Sequence, residues 1–350
     1  MGFKRSVWLS CICRNLLYKN RDRGQDHQSK INRFINNAGL CSSCVSRIPR
    51  VIVVINYREV NLFIWRKRQP IVLALGGGGA RGFAHIGVLR VLEEEGIEIS
   101  RVVGTSMGAI VGAVYAQLGE AKATEERFLK LMQDEAFRTS GLPVAGKKKI
   151  SESWLDHFAQ NIRESIAMNI VAHKRSVLSE ERLFAPLNYL LRDQLVQRTK
   201  IPFAAIATDL KTGEEVILDQ GGIIEAVAAS ASLPGFLPPR EINGRLLIDG
   251  AATSPVPIRA AKRLQTGKVI GVDVSQNLPE KPELDNVIDV VFRSFSITSR
   301  HYHDELVKEA DLLIRPPVGD YHWSEFRKMK WFIHKGEYTA KEQLRAIRNL

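Results

Sequence analysis

Beyond residue 70 this 350-residue chain contains no cysteine: Cys11, Cys13, Cys41 and Cys44 all precede it. That absence excludes a disulfide framework from the larger part of the protein and fits a reducing compartment, so the expected location is the cytoplasm. Cys41 and Cys44 have a two-residue spacing, yet no second Cys/His pair follows at zinc-finger distance. No run reaches the ~18 apolar residues of a membrane span. The apolar stretch 7–13 is short for a signal core and lacks a small-residue cleavage site. A charge excess is missing from the body as well. The formal net charge is +12, but residues 1–70 hold 14 Lys and Arg against 3 Asp and Glu, and the remainder holds 36 against 35. Matched charges on the body argue against nucleic acid as a partner.

What is present divides at about residue 70. Residues 1–70 are basic and asparagine-rich, with brief apolar stretches at 51–55 and 61–65. They read as an N-terminal extension, either poorly ordered or a basic arm that touches anionic lipid headgroups peripherally. From Ile71 to residue 350 the pattern becomes strands alternating with helices, which predicts a three-layer α/β/α domain with a mainly parallel central sheet. IVLAL at 71–75 reads as a buried strand, and 83–96 as a helix with Ile86, Leu89 and Leu92 on one face and Gly96 at its C-terminus. RVV at 101–103 is a short strand leading to a small-residue helix at 109–119, with further helix at 124–134 and 151–191. Residues 202–219 form a strand pair turned at a Thr-Gly, and Asn243-Gly244 between apolar runs signals a hairpin. A strand at 268–275, a long helix at 285–308, a strand at 311–316 and a helix from about 335 complete the pattern.

The first strand runs into Gly76-Gly77-Gly78-Gly79-Ala80-Arg81-Gly82. Alone, this satisfies the G-x-G-x-x-G fingerprint of a dinucleotide site. That reading, a nucleotide-binding module, requires an acidic residue near the end of the second strand. The second strand ends instead in Gly104-Thr105-Ser106-Met107-Gly108. G-x-S-x-G is a nucleophile elbow: the serine stands clear of the backbone on a strained strand-to-helix turn, and Gly104 and Gly108 leave room around it. With Ser106 as nucleophile the glycine loop becomes a source of amide donors for an oxyanion. Arg81 either meets an anionic substrate or steadies that loop.

A nucleophilic serine needs a base. The body offers His85, His157, His173, His301, His303, His322 and His334, none in a strand-end or glycine-flanked context. His301 and His303 are two apart, do not share a helix face and make a poor metal pair. Asp249, at the end of a hairpin strand before Gly250 and Ala251, is the better candidate, although Asp-Gly is equally common in plain turns.

GGGGARG, GTSMG, ASASLPGFLPP at 229–239 and DGA at 249–251 occur together in an order and spacing that resemble the patatin-like phospholipase family, in particular its bacterial and neuropathy-target-esterase-like branch. The resemblance spans residues 71–350. It implies a catalytic dyad of Ser106 and Asp249 with no histidine base, and an oxyanion hole in the motif of Gly77, Gly78, Gly79 and Arg81. It also implies a wall shaped around Pro234 and Pro238, a lipid ester as substrate, and no metal or cofactor. The activity implied is hydrolysis of acyl esters of phospholipids or lysophospholipids. A family member that only binds and regulates is the alternative, and the intact Ser106, Asp249 and loop glycines speak against it. Trp154, Phe158, Ile162, Ile166 and Ile170 recur every four residues, either as core or as a cap over an acyl groove with Lys147, Lys148 and Lys149 near lipid phosphates.

Overall fold

The computed structural model describes residues 51–52, 65–66, 70–134 and 181–350, apart from 266, 281, 283 and 286. The stripe at 154–170 and Lys147 to Lys149 lie outside the described residues. The chain divides into two units, Met1–Arg68 and Gln69–Leu350. In the first, β1 (Val51–Ile52) pairs antiparallel with β2 (Trp65–Arg66).

The second unit is a wound α/β structure. Its strands are β3 (Ile71–Leu75), β4 (Ile99–Thr105), β5 (Phe203–Asp209), β6 (Glu215–Leu218), β7 (Arg240–Ile242), β8 (Arg245–Asp249), β9 (Lys268–Val272) and β10 (Leu312–Ile314). The sheet order is β10-β9-β3-β4-β5-β8-β7, with β6 also on β5. From β10 to β5 every pairing is parallel, and β6, β7 and β8 are antiparallel additions at one side. The helices are α1 (Ala84–Glu94), α2 (Met107–Leu118), α3 (Ala121–Gln133), α4 (Glu181–Leu190), α5 (Ile223–Ser230), α6 (Ile258–Leu264), α7 (Val287–Val307), α8 (Met329–Glu342) and α9 (Leu344–Arg348).

β3 shows why this makes three layers. All five of its side chains are buried, as expected of a strand covered on both faces. Ile71, Leu73 and Leu75 join one core with α1, α2, α5 and α8, whereas Val72 and Ala74 join another with α6 and Val307 of α7. Successive side chains point to opposite faces, so each face carries its own helical layer.

Local signals account for the turns. Gly96 takes φ +62° after α1, where its N–H and that of Ile97 reach back to the Glu93 and Leu92 carbonyls. Asn243 and Gly244 take φ +51° and +75°, the two positive values that a tight hairpin between β7 and β8 demands. Of the boundaries that differ from expectation, two show what sets them. The helix expected from about 335 begins at Met329, because Phe332 and Ile333 pack fully into the core in its first turn. The second strand is longer than 101–103, extending from Ile99 to Thr105 along β3 and β5.

Candidate active site

The sheet register brings two distant positions level. Thr105 at the end of β4 lies opposite Ile206 of β5, and Ala207, the next residue of β5, lies opposite Asp249 of β8. Ser106 follows Thr105 directly, so Ser106 and Asp249 face each other across β5 at the same level. The Asp249 carboxylate faces Ser106 and accepts the Ala251 N–H at 2.8 Å. Asp249 is 2% exposed. Burial pushes its carboxyl up to about 6, with the Ser106 and Ala251 hydrogen bonds pulling the other way.

Ser106 has φ +54° and ψ −121°, outside the ordinary regions for a residue with a side chain. Three contacts hold it there. Its N–H donates to Ser230 Oγ at 3.0 Å, its carbonyl accepts the Ala109 and Ile110 N–H groups of α2, and the Thr105 hydroxyl donates to the Ser254 carbonyl at 2.8 Å. The flanking glycines are required by closeness rather than by φ. A Cβ on Gly104 would sit 2.6 Å from Ala109 Cα, and one on Gly108 would sit 2.6 Å from the Leu75 carbonyl carbon. The ASAS block contributes from the other side: Ser230 anchors the elbow, and the Ser232 carbonyl accepts the Asp249 N–H at 2.9 Å.

The glycine loop is pinned from above and below. His85 is wholly buried, and burial lowers it to about 4, so it stays neutral and its Nε2 donates to the Gly76 carbonyl at 2.8 Å. The Gly77 N–H, on the other side of that peptide, donates to the Pro255 carbonyl at 2.9 Å, and the Ala80 N–H donates to the Trp323 carbonyl at 2.7 Å. Gly77 therefore differs from expectation, because its amide is already committed to a protein carbonyl. Its importance is space: a Cβ there would meet Ser106 Cβ at 3.2 Å. The N–H groups of Gly78 and Gly79 have no hydrogen-bonded partner among the described residues. Both glycines are also sterically required, since a Cβ on Gly78 would come within 2.6 Å of the Val274 carbonyl oxygen, and Gly79 takes φ +58° beside Trp323.

Arg81 is buried and lines the same cavity, with its Nε and Nη1 donors engaged by the protein. Nε donates to the Val274 carbonyl at 3.1 Å, and Nη1 donates to Gln276 Oε1 at 3.1 Å and to the Tyr321 carbonyl at 2.8 Å. Burial lowers it to about 10, opposed by Asp273, so it is charged at neutral pH. Of its two expected roles, this geometry serves the steadying of the loop.

These groups open into a cavity of about 390 Å³. Phe83, Ile110, Phe128, Leu187 and Leu237 make one side apolar, while Ser275, Gln276, Asn277 and Arg300 make the other polar. Pro234 lines it and Pro238 does not. On the polar side lies a cluster that no motif announced. Asp273 Oδ2 takes His303 Nε2 at 3.0 Å and Arg315 Nε at 2.7 Å, and Oδ1 accepts the Ser275 N–H at 2.9 Å. Burial pushes Asp273 up, but His303, the Ser275 amide and Arg315 together hold it well below the usual carboxylate range. Ser275 Oγ is also 3.3 Å from His303 Nε2. One ring nitrogen faces both hydroxyl and carboxylate, so this Ser-His-Asp grouping lacks the two-nitrogen relay of a catalytic triad. The readable trace of it was a buried strand running straight into an aspartate.

Fold and site together define an α/β protein with a serine elbow, a buried carboxylate beside it and an amide-rich loop over both. The family model of the patatin-like phospholipases matches residues 73–262, more than half the chain and all of these motifs, and the chain belongs to that family. It is 30% identical over 211 residues to an uncharacterized NTE family protein of Mycobacterium tuberculosis, covering 59% of this chain and 49% of that one. It is 28% identical over 208 residues to patatin-like phospholipase domain-containing protein 6 of Homo sapiens, covering 59% and 13%. It is 26% identical over 289 residues to domain-containing protein 7 of Rattus norvegicus, covering 74% and 19%. The chain thus spans about half the length of the mycobacterial relatives and a smaller share of the mammalian ones.

Proposed function

We propose that this chain hydrolyses carboxylic esters of phospholipids or lysophospholipids through an acyl-serine intermediate. The observation that carries this is Ser106 set level with a buried Asp249 carboxylate at the wall of a largely apolar cavity. Asp249 takes the Ser106 proton as Oγ attacks the ester carbonyl carbon. The displaced electron pair settles on the carbonyl oxygen, where the Gly78 and Gly79 amides stabilise it. Collapse expels the alcohol, which receives the proton from Asp249. Water then attacks the acyl-serine and gives its proton to Asp249, the fatty acid leaves, and the proton returns to Ser106. No step draws on a metal or cofactor.

An aspartate near its reference pKa of ~3.9 is a feeble base, so the burial that raises Asp249 is part of the chemistry. The apolar lining of the cavity suits an acyl chain and the polar lining a head group. Hydrolysis of p-nitrophenyl esters of graded chain length tests this. Activity rises with acyl length in the wild type and falls by on the order of 10³-fold or more in Ser106→Ala and in Asp249→Asn. Full activity in either variant, or loss on replacing His303 with Asp249→Asn still active, contradicts the dyad.

A further inference from the structure

Among the described residues, eleven large apolar side chains are exposed, and seven of them fall between Leu284 and Tyr302. On α7, Val287 is 78% exposed, Val291 45%, Phe295 63% and Tyr302 44%. At 100° per residue these four lie within one quadrant of the helix, with Val290 and Ile297 beside them. The opposite flank carries Ser296, Arg300 and His303 into the cavity, and Ser299, itself exposed, lies on its rim. One helix therefore joins the mouth of the site to an apolar outer face.

The charge on that face selects its occupant. Over Val287–Tyr302 the only carboxylate is Asp289, which is 5% exposed, and Arg293 stands half-buried beside Ile297; Glu305, exposed one turn further on at the end of the face, is paired with Lys308. An apolar face four turns long, with its single exposed acid at one end neutralised by a lysine and with Arg293 at its margin, matches a bilayer surface: side chains enter the acyl boundary and the arginine meets phosphates. We propose that the outer face of α7 is the membrane-docking surface of this protein, seating the rim of the cavity on the lipid from which the substrate comes. The choice of lipid as occupant rests on the hydrolase reading above; the face itself does not. It is a different surface from the basic extension, which would need anionic lipid.

The experiment is co-sedimentation of the full chain with phosphatidylcholine vesicles and, separately, with vesicles that also contain phosphatidylserine. Phosphatidylcholine alone gives no net surface charge to the basic extension and isolates α7. Burying one large apolar side chain is worth about 1.5–3 kcal/mol. Phe295→Asp is therefore expected to lower partitioning onto phosphatidylcholine by about tenfold or more, and Phe295→Asp with Val291→Asp further. Hydrolysis of a soluble short-chain ester stays unchanged, which reports on Ser106 and separates failure of docking from failure of the hydrolase reading. Leu210→Asp, at an exposed apolar residue elsewhere, leaves partitioning unchanged. A Phe295→Trp variant, compared with the wild type, gains a blue-shifted emission on adding vesicles. Three results overturn the proposal: partitioning that requires phosphatidylserine and ignores both α7 variants, emission of the Phe295→Trp variant that is indifferent to vesicles, or a wild-type dimer in sedimentation that Phe295→Asp dissociates without altering vesicle binding.

Discussion

Replacing Asp249 by asparagine is expected to abolish hydrolysis and at the same time make the protein more stable at neutral pH. The carboxyl is buried and raised from 3.8 to about 6, chiefly because burial disfavours its charge. Between those two values the native state keeps a proton that the unfolded chain releases. Stability associated with this group is thus complete below the lower value, declines as pH rises through the interval and is lost above the upper one. At 1.36 kcal/mol per pH unit the charged carboxylate costs the fold about 3 kcal/mol at neutral pH. Asparagine keeps the geometry of the site: its Oδ1 accepts the Ala251 N–H and its Nδ2 faces Ser106, with no charge to desolvate. Melting temperature should then exceed the wild-type value by on the order of 5 °C at pH about 7.5, and the difference should close as pH approaches about 4. Calorimetric melts of both proteins across that range provide the check. An offset that does not vary with pH, or an asparagine variant that is the less stable at neutral pH, would refute the reasoning that burial strains this carboxylate in order to make it a base.

Under the proposed dyad the same titration governs turnover: kcat/KM in the wild type should drop about tenfold per pH unit below about 6, since only ionised Asp249 would accept the serine proton, and a flat profile down to pH about 5 would assign the base elsewhere. Ser106→Gly should be inactive yet more stable by about 1 kcal/mol in chemical denaturation, because glycine occupies φ +54° without strain; a loss of stability would mean the hydroxyl contributes more than the strained backbone costs. Gly108→Ala places a methyl against the Leu75 carbonyl and should cost about 1–3 kcal/mol together with most activity, seen as a lowered urea midpoint. Arg81→Met strands the Val274 and Tyr321 carbonyls, so kcat should fall more than KM rises as the loop loosens, with a stability loss of about 2–4 kcal/mol; a large KM effect at unchanged kcat would make Arg81 a substrate-binding residue instead.

The elements of this protein were readable where a local rule governs them. Ile71–Leu75 is a continuous apolar run and is a fully buried strand. Asn243-Gly244 marks the hairpin because both residues tolerate positive φ. The elbow was legible because G-x-S-x-G encodes a steric demand within five residues. What lay beyond the sequence was produced by contacts between distant segments. Nothing local to Gly77 signals that its amide is taken by Pro255, far along the chain; that bond leaves Gly78 and Gly79 as the oxyanion donors we propose. Arg81 finds its acceptors at Val274, Gln276 and Tyr321, residues reached only once β9 has aligned beside β3. His303 looked like half of an unpromising pair with His301, and the fold separates them: His301 is exposed and His303 is buried against Asp273. Helix starts were missed for a related reason. α8 begins at Met329 because tertiary packing of Phe332 and Ile333 extends it, with no capping side chain to mark the place.

The central claim, that Ser106 is the nucleophile, is tested most directly by trapping. Incubation of the full chain with a long-chain alkyl fluorophosphonate, followed by peptide mass spectrometry, should show a single phosphonyl adduct on the peptide containing Ser106. Labelling should be absent in Ser106→Ala and much slower in Asp249→Asn. A single adduct on another residue, with ester hydrolysis surviving in Ser106→Ala, would contradict the account.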